Sequence, residues 1–145
     1  MFHGRLDRQT AQGLKVLRQR IEKHRIPKST LDETIILATW NIREFGRVRR
    51  SSAAIHYIAE ILSQFDIIAI TEVRANITGL KRVMEILGPY WRVVFSDFRT
   101  DAGGNRERIA YLYDNRAVTF TGLAAEADPP RRKNRTTGKY VATIS

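Results

Sequence analysis

The amino-acid order predicts an α+β fold, a partial sandwich of mixed and antiparallel sheet with helices on its outer faces. Three observations point there. Two short apolar runs rich in β-branched residues, TIILATWNI (34–42) and DIIAITEV (66–73), alternate with segments of helical periodicity. A cluster of further strand-like runs follows them. Their number is too small to complete two packed sheets, an architecture that takes roughly 200 residues or more as one domain. At 145 residues the chain carries 43% hydrophobic and 28% charged side chains, enough for a core and unlike a disordered composition.

The elements are justified in order. QTAQGLKVLRQRIEKHRIP places Leu14, Leu17 and Ile21 at helical spacing among Arg and Lys, and Pro27 stops it. This basic amphipathic helix defines an N-terminal region, 1–30, ahead of a domain at 31–145. Thr34–Ile42 reads as a buried strand. After the basic turn REFGRVRR, Ser51 or Ser52 can cap a helix whose apolar face is Ile55, Ile58, Ala59 and Leu62. Asp66–Val73 reads as a second buried strand. Leu80, Val83, Met84 and Leu87 make another helical face, closed by Gly88 and Pro89. WRVVFSDF (91–98) reads as a strand and DAGGN as a glycine turn. RIAYLYD (108–114) and AVTFTGL (117–123) read as a hairpin across Asn115 and Arg116. Residues 126–139 read as a loop, and KYVATIS opens a further strand.

The net charge is +10, and its placement is uneven. Residues 1–50 hold 12 basic and 5 acidic side chains, residues 51–128 hold 8 and 10, and residues 129–145 hold 5 and none. Positive charge on both flanks suits a polyanionic partner, and serves equally as solvated charge. Cysteine is absent, which excludes disulfides, thiolate metal sites and thiol nucleophiles. No apolar stretch approaches the roughly 20 residues of a membrane helix, and the N-terminus lacks a signal-type apolar region, so a cytoplasmic protein without a membrane span is expected.

Two polar residues end the apolar runs: Asn41 after IILATW and Glu72 after IIAIT. A carboxylate beside such a run needs a cation or hydrogen-bond donors, and strand ends in α/β proteins are common ligand sites. A carboxylate with an amide oxygen suits Mg²⁺, a hard ion that takes few protein ligands. The plainer alternative is an arginine partner for Glu72 and a turn-capping role for Asn41.

ATWNIREFG, DIIAITEVR and NRERIAYLYD, in that order and spacing, resemble the opening motifs of the endonuclease/exonuclease/phosphatase (DNase I-like) family over about 34–116. The resemblance implies metal-dependent hydrolysis of phosphodiester bonds, with DNA as the expected substrate, and a Mg²⁺ (or Mn²⁺ or Ca²⁺) ion held by Asn41 and Glu72. It implies phosphate contacts by Arg43 and Arg74, whose planar forks suit that role. It also makes Glu107 the catalytic carboxylate that orients a histidine. The plainer alternatives are surface ion pairs: Arg43 or Arg74 with Glu44 or another acid, and Glu107 with Arg106 or Arg108. His3, His24 and His56 do not fall at the family's catalytic positions, and exposed or packed structural roles are expected for them.

The family's later motifs, an Arg-x-Pro segment, a histidine on a later strand, Gly-Asp-x-Asn and Ser-Asp-His, would lie C-terminal to the matched region, and none follows it in these residues. The chain therefore reads as the N-terminal half of such a domain, inactive alone. Two other readings stand beside it: a non-catalytic nucleic-acid-binding or interaction protein, and a half-fold completed by another chain or by self-association.

Overall fold

The computed structural model describes residues 1–28, 30, 33–97, 107–122, 131–133 and 140–142. The expected DAGGN turn lies outside the described residues. The elements run α1 (Arg8–His24), β1 (Leu37–Phe45), α2 (Ser52–Leu62), β2 (Ile67–Val73), α3 (Thr78–Leu87), β3 (Trp91–Phe95), β4 (Arg108–Asp114), β5 (Arg131–Lys133) and β6 (Tyr140–Ala142). Four strands form one mixed sheet in the order β1-β2-β4-β3, and β5 pairs with β6 in a separate antiparallel ladder. The β1–β2 pair is parallel; β2–β4 and β3–β4 are antiparallel. This is the α+β mixed-sheet architecture expected.

Local chemistry explains the helices. Ser51 caps α2, its hydroxyl accepting the Ala54 N–H at 3.2 Å, and Ile55, Ile58, Ala59 and Leu62 are all buried. Asp7 caps α1 through the Thr10 N–H at 2.9 Å, a cap the apolar periodicity did not show. Arg25, in the left-handed region (φ 49°), ends α1 ahead of Pro27. Leu14 is the buried anchor of its narrow stripe, and α1 packs on α2. Contact there is close: a Cβ on Gly13 would sit 1.9 Å from the Tyr57 hydroxyl. On α3, Leu80, Val83, Ile86 and Leu87 are buried, and Met84 packs against the same core.

The sheet is two-faced. Ile68, Ile70, Ala110 and Leu112 point toward the helices and are fully buried. With Phe45, Ile55, Leu62 and Val83 they make the core. The alternate positions, Ile67, Ala69, Tyr111 and Tyr113, are only half-buried. Here the expectation of a buried β1 needs correction: among the described residues it is an edge strand, with Leu37 70% exposed. Its apolar run reflects a partner on one edge and helices on one face alone.

Two other expectations change. Residues 118–122 form no strand, so there is no hairpin across Asn115 and Arg116. Both edges of β4 are taken, by β2 and β3. The chain coils instead, with Ala117 and Val118 N–H groups both donating to the Asp114 carbonyl at 3.1 and 2.9 Å. Within the expected 126–139 loop, Arg131–Lys133 is strand β5, paired with the expected strand at Tyr140.

Candidate metal and phosphate site

The parallel β1–β2 pair runs in even register from Leu37↔Ile67 to Asn41↔Thr71, then shifts to Phe45↔Val73. Three residues of β1 (42–44) thus face one of β2, Glu72. The β2–β4 ladder shifts at the same place, between Ile70 and Val73. Such bulges re-aim side chains and occur next to functional sites. Glu44 and Glu72 both take positive φ, 49° and 60°, a conformation that costs a non-glycine residue energy and calls for compensating bonds.

Those bonds are present, and they converge on the Glu72 carboxylate. Its Oε1 accepts from Asn41 Nδ2 at 2.7 Å and its Oε2 from the Glu44 backbone N–H at 3.0 Å. The two side chains that ended the apolar runs therefore meet across the β1–β2 pair, Asn41 in the middle of β1 and Glu72 one residue from the end of β2. The bond from Asn41, then that from the Glu44 N–H, with smaller help from the charges of Arg74 and Arg43, hold the Glu72 carboxyl below its ordinary 4.5. It is a carboxylate at neutral pH, and neither of its direct donors carries charge.

An arginine–glutamate rim surrounds this centre. Arg74 bonds Glu107 Oε1 at 2.7 Å and lies 3.8 Å from Glu44 Oε1. Arg47 pairs with Glu44, and the Arg50 guanidinium donates to the Arg43 carbonyl. Gly46 makes the turn possible. Its φ is 106°, and a Cβ there would fall 2.1 Å from the Asn76 carbonyl oxygen. The turn is sealed by Arg47 N–H to Glu44 O at 2.9 Å and Arg74 N–H to Phe45 O at 2.8 Å.

The structure brings Asn41, Glu72, Arg74 and Glu107 into one neighbourhood, with Arg43 exposed on β1 beside them. Glu107 engages Arg74. Arg106, one plainer partner considered for Glu107, lies outside the described residues. Gly46 is the participant that sequence reasoning passed over; Glu44, expected only as an ion-pair partner for Arg43 or Arg74, lies near Arg74 and also gives its backbone N–H to Glu72. The signal was there in the turn Glu44-Phe45-Gly46, since a glycine directly after a strand marks a tight or left-handed turn. Among the described residues no group of three or more His, Asp or Glu side chains could hold a metal. The candidate set is one carboxylate and one amide, hard oxygen donors fitting an ion that keeps most of its waters. No protein-family model matches the chain, and no curated protein matches it.

Proposed function

We propose that this chain carries the metal-binding half of a phosphodiesterase site of the endonuclease/exonuclease/phosphatase kind, acting on nucleic acid with DNA as the substrate. One observation carries the reading: the 2.7 Å contact of Asn41 with Glu72 across the parallel β1–β2 pair, where a bulge and a left-handed Glu72 aim the carboxylate. In this proposal Glu72 and the Asn41 amide oxygen hold Mg²⁺, which when bound offsets charge developing on the phosphoryl group. Mn²⁺ and Ca²⁺ share the same oxygen preference and serve as probes. Arg43 supplies positive charge for a neighbouring phosphate. Arg74, held by Glu107, presents its guanidinium in a set orientation, which lowers the entropy lost when a phosphate is gripped. Glu107 is thus a positioning residue acting through Arg74.

Mn²⁺ binding to the whole chain, read by electron paramagnetic resonance, tests the metal site. Binding weakened at least tenfold in Glu72→Gln is expected; unchanged binding in that variant overturns the assignment. Nicking of supercoiled plasmid tests the reaction. Because no Ser-Asp-His or Gly-Asp-x-Asn motif stands in the 145 residues, we expect the chain alone to bind without cutting. Mg²⁺-dependent nicking abolished by Glu72→Ala would show that it supplies its own base.

A second reading, a nucleic-acid-binding module without catalysis, is favoured by the basic flanks at 1–50 and 129–145. Its signature is duplex binding that weakens steeply with salt and is indifferent to metal, since released counterions set the slope.

A further inference from the structure

On a flank of α2, two imidazoles face each other nitrogen to nitrogen. His3 Nδ1 lies 2.9 Å from His56 Nδ1, with ring centroids 5.1 Å apart. His3 Nε2 lies 2.8 Å from Glu60 Oε2. Arg18 of α1 completes the group, donating from Nε and a terminal nitrogen to the two Glu60 oxygens at 2.8 and 2.9 Å. His56 and Glu60 are buried.

Proton counting restricts this arrangement. The Nδ1···Nδ1 contact is a hydrogen bond only when one nitrogen carries a proton and the other offers a lone pair. With His3 protonated at Nε2 toward Glu60, either His56 is the Nδ1–H tautomer or His3 is the cation and His56 is neutral. At most one ring is charged in either case. A proton on both would set two N–H groups and two positive charges against each other at 2.9 Å.

The charged groups facing His56 come from every neighbouring element. They are His3 from the terminal segment, Asp7 at the α1 cap and Arg82 on α3, with Glu60 on α2 and Arg18 on α1 reaching it through His3. Glu60 is already bonded twice by Arg18, so it is shared when His3 is charged, and a second imidazolium on His56 has no bonded carboxylate of its own. Burial first, then the charges of His3 and Arg82, against a smaller opposing effect of Asp7, push His56 below its ordinary 6.5.

We propose that the His3–His56 pair is a proton-operated latch. It holds residues 1–6 against α2 while one ring is neutral and releases them when both are charged. His3 is the ring that leaves. It sits on a terminal segment joined to the domain by the Phe2 N–H to Ile86 carbonyl bond of 2.7 Å, whereas His56 is fixed within α2. Local opening of a segment with so few bonds requires little free energy compared with global unfolding. Release removes His3 from Glu60 and leaves that carboxylate to Arg18 alone. Histidine pairs convert modest acidification into a structural change because their ordinary range lies near neutrality.

The test is a pH titration of the whole chain from 8 to 5, reading the {¹H}–¹⁵N NOE of the His3 to Leu6 amides and the ring ¹⁵N shifts. In the wild type the NOEs should fall from helix-like to free-chain values with a midpoint below 6.5. His56→Gln keeps an N–H for His3 Nδ1 but does not titrate. Its release should vanish from this range or move down by at least one pH unit. His3→Gln serves the same purpose should His56→Gln fail to fold. NOEs that stay helix-like to pH 5 in the wild type overturn the latch. So does release at the wild-type pH in whichever variant folds.

Discussion

Glu60 and Glu72 are both carboxylates bonded at each oxygen, and they are held in opposite ways. Glu60, 4% exposed, is gripped by the guanidinium of Arg18 and by His3. Glu72 stands half-buried at a strand tip and is held by two neutral donors, the Asn41 amide and the Glu44 N–H. A buried carboxylate gripped by a guanidinium is committed to structure. One whose direct donors are neutral keeps its net charge and is oriented without being quenched. The second arrangement suits binding a mobile cation; the first suits joining α1 and the terminal segment to α2.

This contrast can be broken by substitution, and the largest effect belongs to the core that supports both. Ile70→Ala should destabilise the protein by about 3 kcal/mol, as for large-to-small changes at fully buried sites; urea unfolding with an unchanged m-value would check it. Gly46→Ala forces a Cβ against the Asn76 carbonyl in a left-handed turn. A loss of about 2 kcal/mol is expected, together with loss of Mn²⁺ binding, because the turn sets the Glu44 N–H that aims Glu72. Glu60→Gln should cost about 1–2 kcal/mol, since Arg18 is half-exposed and can be rescued by water; metal binding should not change. Glu72→Gln should leave stability nearly unchanged, as for surface substitutions, while weakening metal binding at least tenfold. A large stability loss with retained metal binding would reverse the roles assigned to the two residues.

The smallest effect is on acid stability. Burial raises the Glu60 carboxyl, but the bonds from Arg18 and His3 and their charges outweigh it, leaving it below its ordinary 4.5; Glu72 is lowered too. For a lowered carboxyl the unfolded chain binds more protons than the folded one. The contribution is therefore present above 4.5 and is lost as pH falls through the folded values. His56 follows the same sign higher up, its contribution present above 6.5 and lost below. Acid unfolding midpoints should shift upward in Glu60→Gln and less in Glu72→Gln. An equal shift in both would mean that the interior pairing of Glu60 adds nothing over the surface bonds of Glu72.

Much of this was legible in residue order, and the exceptions have physical causes. The helical faces of α2 and α3 could be read because amphipathic period and caps are local properties, encoded in Ser51, Ile55, Leu62 and Gly88. Asn41 and Glu72 could be singled out because a polar side chain ending an apolar run is itself a local signal. Strand β1 looked buried because composition does not reveal how many neighbours a strand has. The expected hairpin after β4 failed for the same reason: β3 and β2 already occupied both edges, and a chain that cannot pair must turn away.

By itself the sequence determined the kinds of element, their order, the polar residues at strand ends and the basic flanks, since each follows from side chains within a turn or two of one another. Tertiary structure alone decided the sheet order, the paired bulges that give Glu44 and Glu72 positive φ, the grip of Glu107 on Arg74, and the meeting of His3 with His56 across 53 positions. These depend on which distant segments share a surface, and no local pattern records that choice.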